Sequence, residues 1–218
     1  MGDFIRLHKS HNDVRKKELQ MTENKSITAE DKEFFQKTIM ESINEKTTPI
    51  SLAESLIELL GADSSPFPVV ACAKMLGISV YEQDIREKVL KGYLAVDKKD
   101  TPIICVNKNE SIGHNRYTVA HELWHYLYDY KFKKRKITLY AESEHDDEDK
   151  LEKDADAFAV NLLMPKDTFL KEAKSFSSYD PNIIVERLCN RFGVSQTAVI
   201  RRLRDVYPHM WFRIVTNI

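Results

Sequence analysis

Apolar residues recur every three or four positions along much of the chain, a spacing typical of helices that are buried on one side. The spacing is clear from Thr28 to Glu45, from Ser51 to Leu60 and from Leu151 to Leu163. Helices therefore dominate the predicted structure. The further helical segments are Val69–Leu76, Arg116–Tyr128, Lys166–Ser175, Ile183–Phe192 and Gln196–Asp205.

Shorter segments show the alternation of apolar and polar residues that is typical of β-strands. Ile78–Tyr81 is one of them, and Gly92–Val96 and Pro102–Val106 are two more. The polar segment Asp97–Thr101 joins the last two, and this arrangement predicts a β-hairpin. Together these segments predict an α+β fold in which helices outnumber strands.

The patterns divide the chain into three predicted regions. Residues 1–48 are highly charged and should form an extension that is partly helical or disordered. Residues 49–165 should form a compact domain in which a small sheet, the hairpin, packs on the helix Arg116–Tyr128. Residues 166–218 should form a C-terminal helical subdomain that packs on this domain.

Charge and composition give no sign of a nucleic-acid or membrane partner. The chain has 33 lysines and arginines against 34 aspartates and glutamates, so its net charge of −1 provides no basic field. It contains no apolar run of about 18 residues and no signal-peptide core, which predicts a cytoplasmic protein without membrane contact. Cys72, Cys105 and Cys189 form no CxxC pair, so we interpret them as buried thiols.

The segment His121-Glu122-Leu123-Trp124-His125 carries the candidate chemistry. Two histidines four residues apart lie on one face of a helix, where both imidazoles can reach a metal ion at about 2.0–2.1 Å. Glu122 lies about 100° around the helix, beside the metal, where its carboxylate can act as a general base. This pattern predicts two zinc ligands and one base.

Chance occurrence on a solvated helix is the alternative interpretation of this motif. Its neighbours argue against that, because buried histidines and a buried glutamate need partners, and one metal ion would satisfy all three. The apolar neighbours are Val119, Ala120, Leu123, Trp124 and Leu127.

The helix Leu151–Leu163 offers the third ligand of the predicted zinc site. Glu152 continues its apolar face, which favours Glu152 as the ligand and Asp156, one turn on, as a hydrogen-bond partner of a ligand imidazole. Asp154 points away from Glu152 but is the neighbouring alternative. These acids could also be solvated residues that favour the start of the helix.

Two segments of the chain strongly resemble the ImmA/IrrE metallopeptidases. They are Arg-Tyr-Thr-Val-Ala-His-Glu-Leu-Trp-His-Tyr-Leu-Tyr over 116–128 and Glu-x-x-Ala-Asp-x-Phe-Ala-x-x-Leu-Leu-Met-Pro over 152–165. The resemblance covers about residues 50–205. It implies a compact zincin-like domain of the gluzincin type. In this domain His121, His125 and an acid of the second helix bind Zn²⁺, and Glu122 is the base.

In the family pattern, Glu152 and Asp156 match the recurring acid and Asp/Asn positions, and Asp154 stands where relatives often carry glutamate. The resemblance further implies a zinc metalloendopeptidase that cleaves a specific helix-turn-helix transcriptional repressor in mobile-element, phage or stress control. A regulator that binds DNA or a repressor without cleaving it, and retains the zinc site, is the alternative.

The segment Leu188–Leu203 itself resembles a helix-turn-helix, with Gly193 at the turn and Ser195 as the cap. Direct DNA binding through residues 186–204 would place its second helix in a major groove. Because the chain is nearly neutral, we favour a packed helical subdomain with solvated arginines, Arg201, Arg202 and Arg204.

The sequence also suggests how a peptide substrate would be held. Zincins bind peptides in extended form along an edge strand, and Ile103–Asn107, just before the motif helix, is the predicted edge. The reaction needs a hydrogen-bond donor to the developing oxyanion. The candidate donors are His114, Tyr117, His145 and His209.

Overall fold

The structure, a computed structural model, describes residues 28–61, 66–86, 90–96, 101–135, 146–176 and 179–216. The predicted α+β fold is confirmed. Disorder is predicted for the first 25 residues, and these lie outside the described residues. The elements are α1 (Ala29–Ser42), α2 (Pro49–Leu59), α3 (Val69–Met75), β1 (Ser79–Gln83), β2 (Gly92–Val96), β3 (Pro102–Asn107), α4 (Ile112–Trp124), a π-helix (His125–Phe132), α5 (Asp146–Leu163), α6 (Lys166–Ser175), α7 (Pro181–Phe192), α8 (Gln196–Val206) and α9 (Pro208–Thr216).

Polar caps fix where the first two helices begin. Thr28 precedes α1, and its side chain accepts from the backbone N–H of Asp31 while the Asp31 carboxylate accepts from the backbone N–H of Thr28. This reciprocal pair is a capping box. Thr48 and Ser51 make the same reciprocal pair at the start of α2, where Pro49 occupies the first turn.

The small sheet has the strand order β1-β3-β2, so β3 is the central strand. It pairs in antiparallel fashion with β2, which confirms the predicted hairpin, and in parallel with β1. The prediction that Ile103–Asn107 is an edge strand is therefore wrong, because both of its sides are paired. Within the described part of the chain, the edge strands are β1 and β2. Alternation in the sequence marks a strand but does not specify its partners.

Strand β2 packs directly on the motif helix α4 because it begins with glycine. A Cβ atom at Gly92 would lie 2.5 Å from Thr118 Cγ2 and 2.6 Å from the backbone oxygen of Cys105, too close for any other residue. The hairpin thus lies against the predicted helix, with its edge strand β2 beside the metal-ligand motif.

Helices α4 and α5 pack face to face in the core. The indole of Trp124 and the ring of Phe158 lie 5.7 Å apart between centroids. The inward face predicted for α5 is confirmed, since Ala155, Phe158, Ala159, Leu162 and Leu163 are all fully buried. All three cysteines are free and buried, as predicted. Among the described residues, no helix is both long and apolar enough to span a membrane.

The motif helix differs from its prediction at both ends. It begins at Ile112, capped by Ser111, and its α-helical part ends at Trp124. The chain then continues as a π-helix to Phe132, beyond the predicted end at Tyr128. Stacked rings accompany the wider turn, with Trp124 and Tyr128 4.5 Å apart between centroids. Helix α5 likewise begins at Asp146, ahead of the predicted Leu151.

Two buried arginines attach the C-terminal helices to the rest of the core. Arg202 on α8 donates to the backbone oxygen of Met164 at 2.8 Å and to Asn161 Oδ1 at 3.0 Å, at the end of α5. Arg116 on α4 donates to the backbone oxygen of Gly193 at 2.8 Å, in the turn between α7 and α8. The expectation that Arg202 is solvated is therefore wrong: its guanidinium satisfies the backbone oxygen of Met164, which the end of α5 leaves unpaired.

Candidate metal centre

The side chains of His121, His125 and Glu152 converge on one point between α4 and α5. Nε2 of His121 lies 3.1 Å from Nε2 of His125 and 3.1 Å from Oε2 of Glu152. Nε2 of His125 lies 3.4 Å from the other oxygen of Glu152, Oε1. The helix α4 and the first π-helical turn supply the two imidazoles, and docking of α5 supplies the carboxylate.

These three distances fit a metal ion. A tetrahedral zinc ion with ligands at 2.0–2.1 Å holds neighbouring ligand atoms about 3.3 Å apart, and the observed separations of 3.1–3.4 Å are close to this edge length. Two imidazoles and one carboxylate are also a ligand set that suits zinc. His121, His125 and Glu152 therefore form a group that could hold a metal ion.

Asp156 lies behind His121, on the side of the imidazole away from the convergence point. Its Oδ1 is 3.2 Å from Nδ1 of His121 and accepts from the hydroxyl of Tyr117 at 2.9 Å. This is the contact to a ligand imidazole that the sequence predicts for Asp156. With Nδ1 occupied by a carboxylate, Nε2 is the nitrogen left to face a metal.

Asp129 has the corresponding place behind His125, and the sequence reasoning missed it. Its Oδ2 is 2.8 Å from Nδ1 of His125, and its Oδ1 is 3.1 Å from a guanidinium nitrogen of Arg135. A signal for it exists, because Asp129 follows His125 by four residues and so lies on the same face of a helix.

Glu122 lies beside the three converging side chains without joining them. Burial is the main cause that raises the pKa of its carboxyl above the usual range. The carboxylate accepts a hydrogen bond from the backbone N–H of Leu94 in β2. A carboxylate with a raised pKa, next to a candidate metal position, has the properties of a general base.

Electrostatics at the site follow from the same contacts. Burial by itself lowers the pKa of His121, but hydrogen bonds to Asp156 and Glu152 outweigh it and raise the pKa to about 9. For His125, the contacts with Asp129 and Glu152 likewise outweigh burial and raise the pKa to about 10. Hydrogen bonds from the same two imidazoles hold the pKa of Glu152 well below its usual range.

The other candidates from the sequence are not among the converging side chains. Asp154 is not a member of the converging group found among the described residues. Of the suggested oxyanion donors, Tyr117 donates to Asp156, and Nδ1 of His114 lies 3.5 Å from a carboxylate oxygen of Glu110. His209 is exposed on α9, and His145 lies outside the described residues.

Comparison with known proteins decides the family. A family profile described as the IrrE N-terminal-like domain, peptidase M78, matches residues 73–204, which is more than half of the chain. The chain belongs to the peptidase M78 family. The resemblance to the ImmA/IrrE metallopeptidases is thereby confirmed. The match to peptidase M78 includes both histidines, Glu122, Glu152 and the two carboxylates behind the imidazoles.

Comparison with solved structures finds a protein of similar fold. The chain is similar to a Mycobacterium tuberculosis transcriptional regulator, with a TM-score of 0.51 and 18% sequence identity. The similar region covers 80% of this chain and 50% of that protein, so the chain spans half its length. At this identity the likeness concerns the fold alone. No curated protein matches the chain significantly.

Proposed function

We propose that this member of the peptidase M78 family is a zinc metalloendopeptidase. His121, His125 and Glu152 would hold Zn²⁺, and Glu122 would be the catalytic base. The observation that carries the proposal is the set of distances of 3.1, 3.1 and 3.4 Å between their ligand atoms. A site with three protein ligands leaves one position open, as in zinc enzymes and unlike closed structural zinc sites.

The chain's own groups would handle the proton that peptide hydrolysis requires. A bound zinc ion supplies Lewis acidity that activates the attacking water and polarises the scissile carbonyl. The Glu122 carboxylate would take a proton from that water and later return it to the leaving amide nitrogen. Its raised pKa favours both transfers, because a base whose pKa is closer to neutrality also becomes an effective acid.

The free edge of β2 would hold the substrate in place of the strand predicted from the sequence. The backbone N–H of Asn107 donates to the backbone oxygen of Lys91 at 3.0 Å, so this pair of residues is hydrogen-bonded across the hairpin. Backbone groups alternate along an antiparallel strand, and those of Gly92, Leu94 and Val96 therefore point away from β3. Because Leu94 reaches Glu122 on that side, an extended peptide paired with β2 would pass the base.

The proposed substrate is a specific helix-turn-helix repressor in the cytoplasm. The family resemblance motivates it, together with a fold shared with a protein described as a transcriptional regulator. The second candidate is a regulator that binds DNA or a repressor without cutting it. The helix-turn-helix arrangement of α7 and α8 favours this candidate. Against DNA binding, Arg202 is buried and Arg204 lies 3.3 Å from Asp205, so little basic surface is left on α8.

The test compares three purified proteins: wild type, Glu122→Gln and Glu54→Gln. Glu54 is an exposed glutamate on α2 and serves as the matched control. Each protein is assayed for bound metal and is incubated with each helix-turn-helix repressor encoded near its gene. We expect about one zinc ion in all three proteins and cleavage by wild type and Glu54→Gln alone.

Other outcomes separate the two candidates. Zinc in all three proteins without cleavage, but with tight binding of the repressor, would support the regulator that does not cut. Cleavage by Glu122→Gln at the wild-type rate would contradict the role of Glu122. A wild-type protein that takes up no zinc would overturn the metal site itself.

A further inference from the structure

Asp129 is an unusual acid because it is buried. Its exposed fraction is 6%, the smallest of any acidic residue in the described part of the chain. Removing a carboxylate from water is unfavourable unless partners compensate its charge. The partners of Asp129 therefore indicate why an acidic residue occupies this buried position.

Both oxygens of Asp129 have charged or polar partners. Oδ2 lies 2.8 Å from Nδ1 of His125, and Oδ1 lies 3.1 Å from a guanidinium nitrogen of Arg135. The arrangement is a chain of cation, carboxylate and imidazole. The guanidinium donates to one oxygen of the carboxylate, and the other oxygen is placed to accept a hydrogen bond from Nδ1 of the imidazole.

The end of the π-helix brings Arg135 back over Asp129. The backbone N–H of Lys133 donates to the oxygen of Tyr128 at 2.8 Å, and that of Arg135 donates to the oxygen of Asp129 at 2.9 Å. Between them, Lys134 has a φ of 58°. A residue other than glycine adopts this left-handed conformation at a cost and keeps it where the surroundings demand it. Here the surrounding contacts are those of Arg135 with Asp129.

We propose that Asp129 is a positioning residue for His125, and that Arg135 holds it in place. The proposal rests on the proposed function, because it takes His125 to be a metal ligand. Asp129 keeps the imidazole in the tautomer that carries its proton on Nδ1. The lone pair of Nε2 then points toward His121 and Glu152, 3.1 and 3.4 Å away.

The experiment measures zinc affinity by competition with a chelator for wild type, Asp129→Asn, Asp129→Ala and Arg135→Gln. Loss of a carboxylate that supports a ligand histidine typically weakens metal binding by about 10–100-fold, and we expect this for both Asp129 variants. Arg135→Gln should weaken zinc binding less than the Asp129 variants do. The Arg135 side chain is 46% exposed, so solvent already screens its interaction with Asp129.

Glu45→Gln is the matched control. Glu45 forms an ion pair with Lys133, which lies in the segment between Asp129 and Arg135, but Glu45 does not contact His125. Its variant should therefore bind zinc as wild type does. Thermal unfolding of each metal-free protein shows whether the variant still folds. It thereby distinguishes weak zinc binding by a folded variant from loss of the fold. If Asp129→Ala does not fold, Asp129→Asn and Arg135→Gln still test the proposal.

A second measurement reports the tautomer directly. Long-range ¹H–¹⁵N spectra of the zinc-loaded protein show which ring nitrogen of His125 carries the proton. We expect a slowly exchanging Nδ1 proton in wild type and Glu45→Gln, and fast exchange of this proton in Asp129→Ala. A merely structural Asp129 would leave this signal unchanged.

The outcomes distinguish this inference from the function on which it rests. If wild type binds zinc while folded Asp129→Asn and Asp129→Ala bind within about twofold of it, the assignment of Asp129 is wrong and the metal site stands. If wild type binds no zinc, or His125→Ala binds as tightly as wild type, the proposed function fails and the assignment of Asp129 fails with it.

Discussion

The two imidazoles of the candidate metal centre are supported in different ways. His121 is backed by Asp156, which is 35 residues away on another helix, has a side chain that is 55% exposed, and is shared with Tyr117. His125 is backed by Asp129, which is four residues away, has a side chain that is 9% exposed, and is shared with Arg135.

Asp129 contacts its imidazole within one local segment, whereas Asp156 contacts its imidazole across a tertiary interface. Asp129 lies next to its imidazole whenever the π-helix forms, because the spacing in the chain brings them together. Asp156 reaches its imidazole only when α5 docks on α4, and the same docking delivers Glu152. The His121 side of the site therefore depends on the packing of two helices, whereas the His125 side depends mainly on one segment.

The largest expected effect is the loss of the carboxylate that α5 delivers. Glu152→Gln should weaken zinc binding by more than about 100-fold, since a ligand contributes more than the residues that support ligands. Asp154→Asn, on the same helix, is the matched variant and should bind zinc as wild type does. Chelator competition measures both. Weak binding by Asp154→Asn with normal binding by Glu152→Gln would show that the third ligand is assigned to the wrong acid.

The comparison itself is tested by removing the two supporting carboxylates one at a time. Asp129→Asn and Asp156→Asn should each weaken zinc binding by about 10–100-fold relative to wild type. The loss should be larger for Asp129→Asn. The reason is burial, because a contact shielded from solvent is screened less. Equal losses in the same titration would mean that burial does not separate the two supports.

A third prediction concerns the docking of α5 by the C-terminal helices. Arg202→Ala should destabilise the protein by about 2 kcal/mol, because it leaves the backbone oxygen of Met164 and the side chain of Asn161 without their donor. Arg201→Ala, at an exposed neighbouring position, should change stability little. Urea denaturation of the metal-free proteins measures both. Equal stability of the two variants would contradict the role of Arg202.

The smallest expected effect is at the hydroxyl that Asp156 shares. Tyr117→Phe removes a hydrogen bond of 2.9 Å to Asp156 but leaves the carboxylate beside His121. A hydrogen bond to a charged group contributes about 1.5–3 kcal/mol, but Tyr117 acts on the metal only through Asp156, so zinc affinity should fall by no more than about tenfold. Isothermal titration with zinc measures the change. A loss as large as that of Asp156→Asn would show that Tyr117 does more than orient this carboxylate.

Local spacing made much of the candidate site predictable from the sequence. His121 and His125 share a helical face whatever surrounds them, and Glu122 must lie beside them, because the helix sets these directions. The period of apolar residues in α5 placed Glu152 and Asp156 on the inward side in the same way. Asp129 was equally accessible from its spacing. It was missed because the helix was expected to end at Tyr128, one residue too early.

Contacts between distant segments were decided only by the tertiary structure. Alternation predicted the hairpin, but only the parallel pairing with β1 made β3 central and left β2 as the free edge beside Glu122. Composition suggested a solvated Arg202, yet docking buried it against the end of α5. The sequence by itself thus determined the elements, their faces and the ligand motif, because these depend on neighbours in the chain. Strand order and the burial of Arg202 depend on which surfaces meet, and local periodicity carries no information about that.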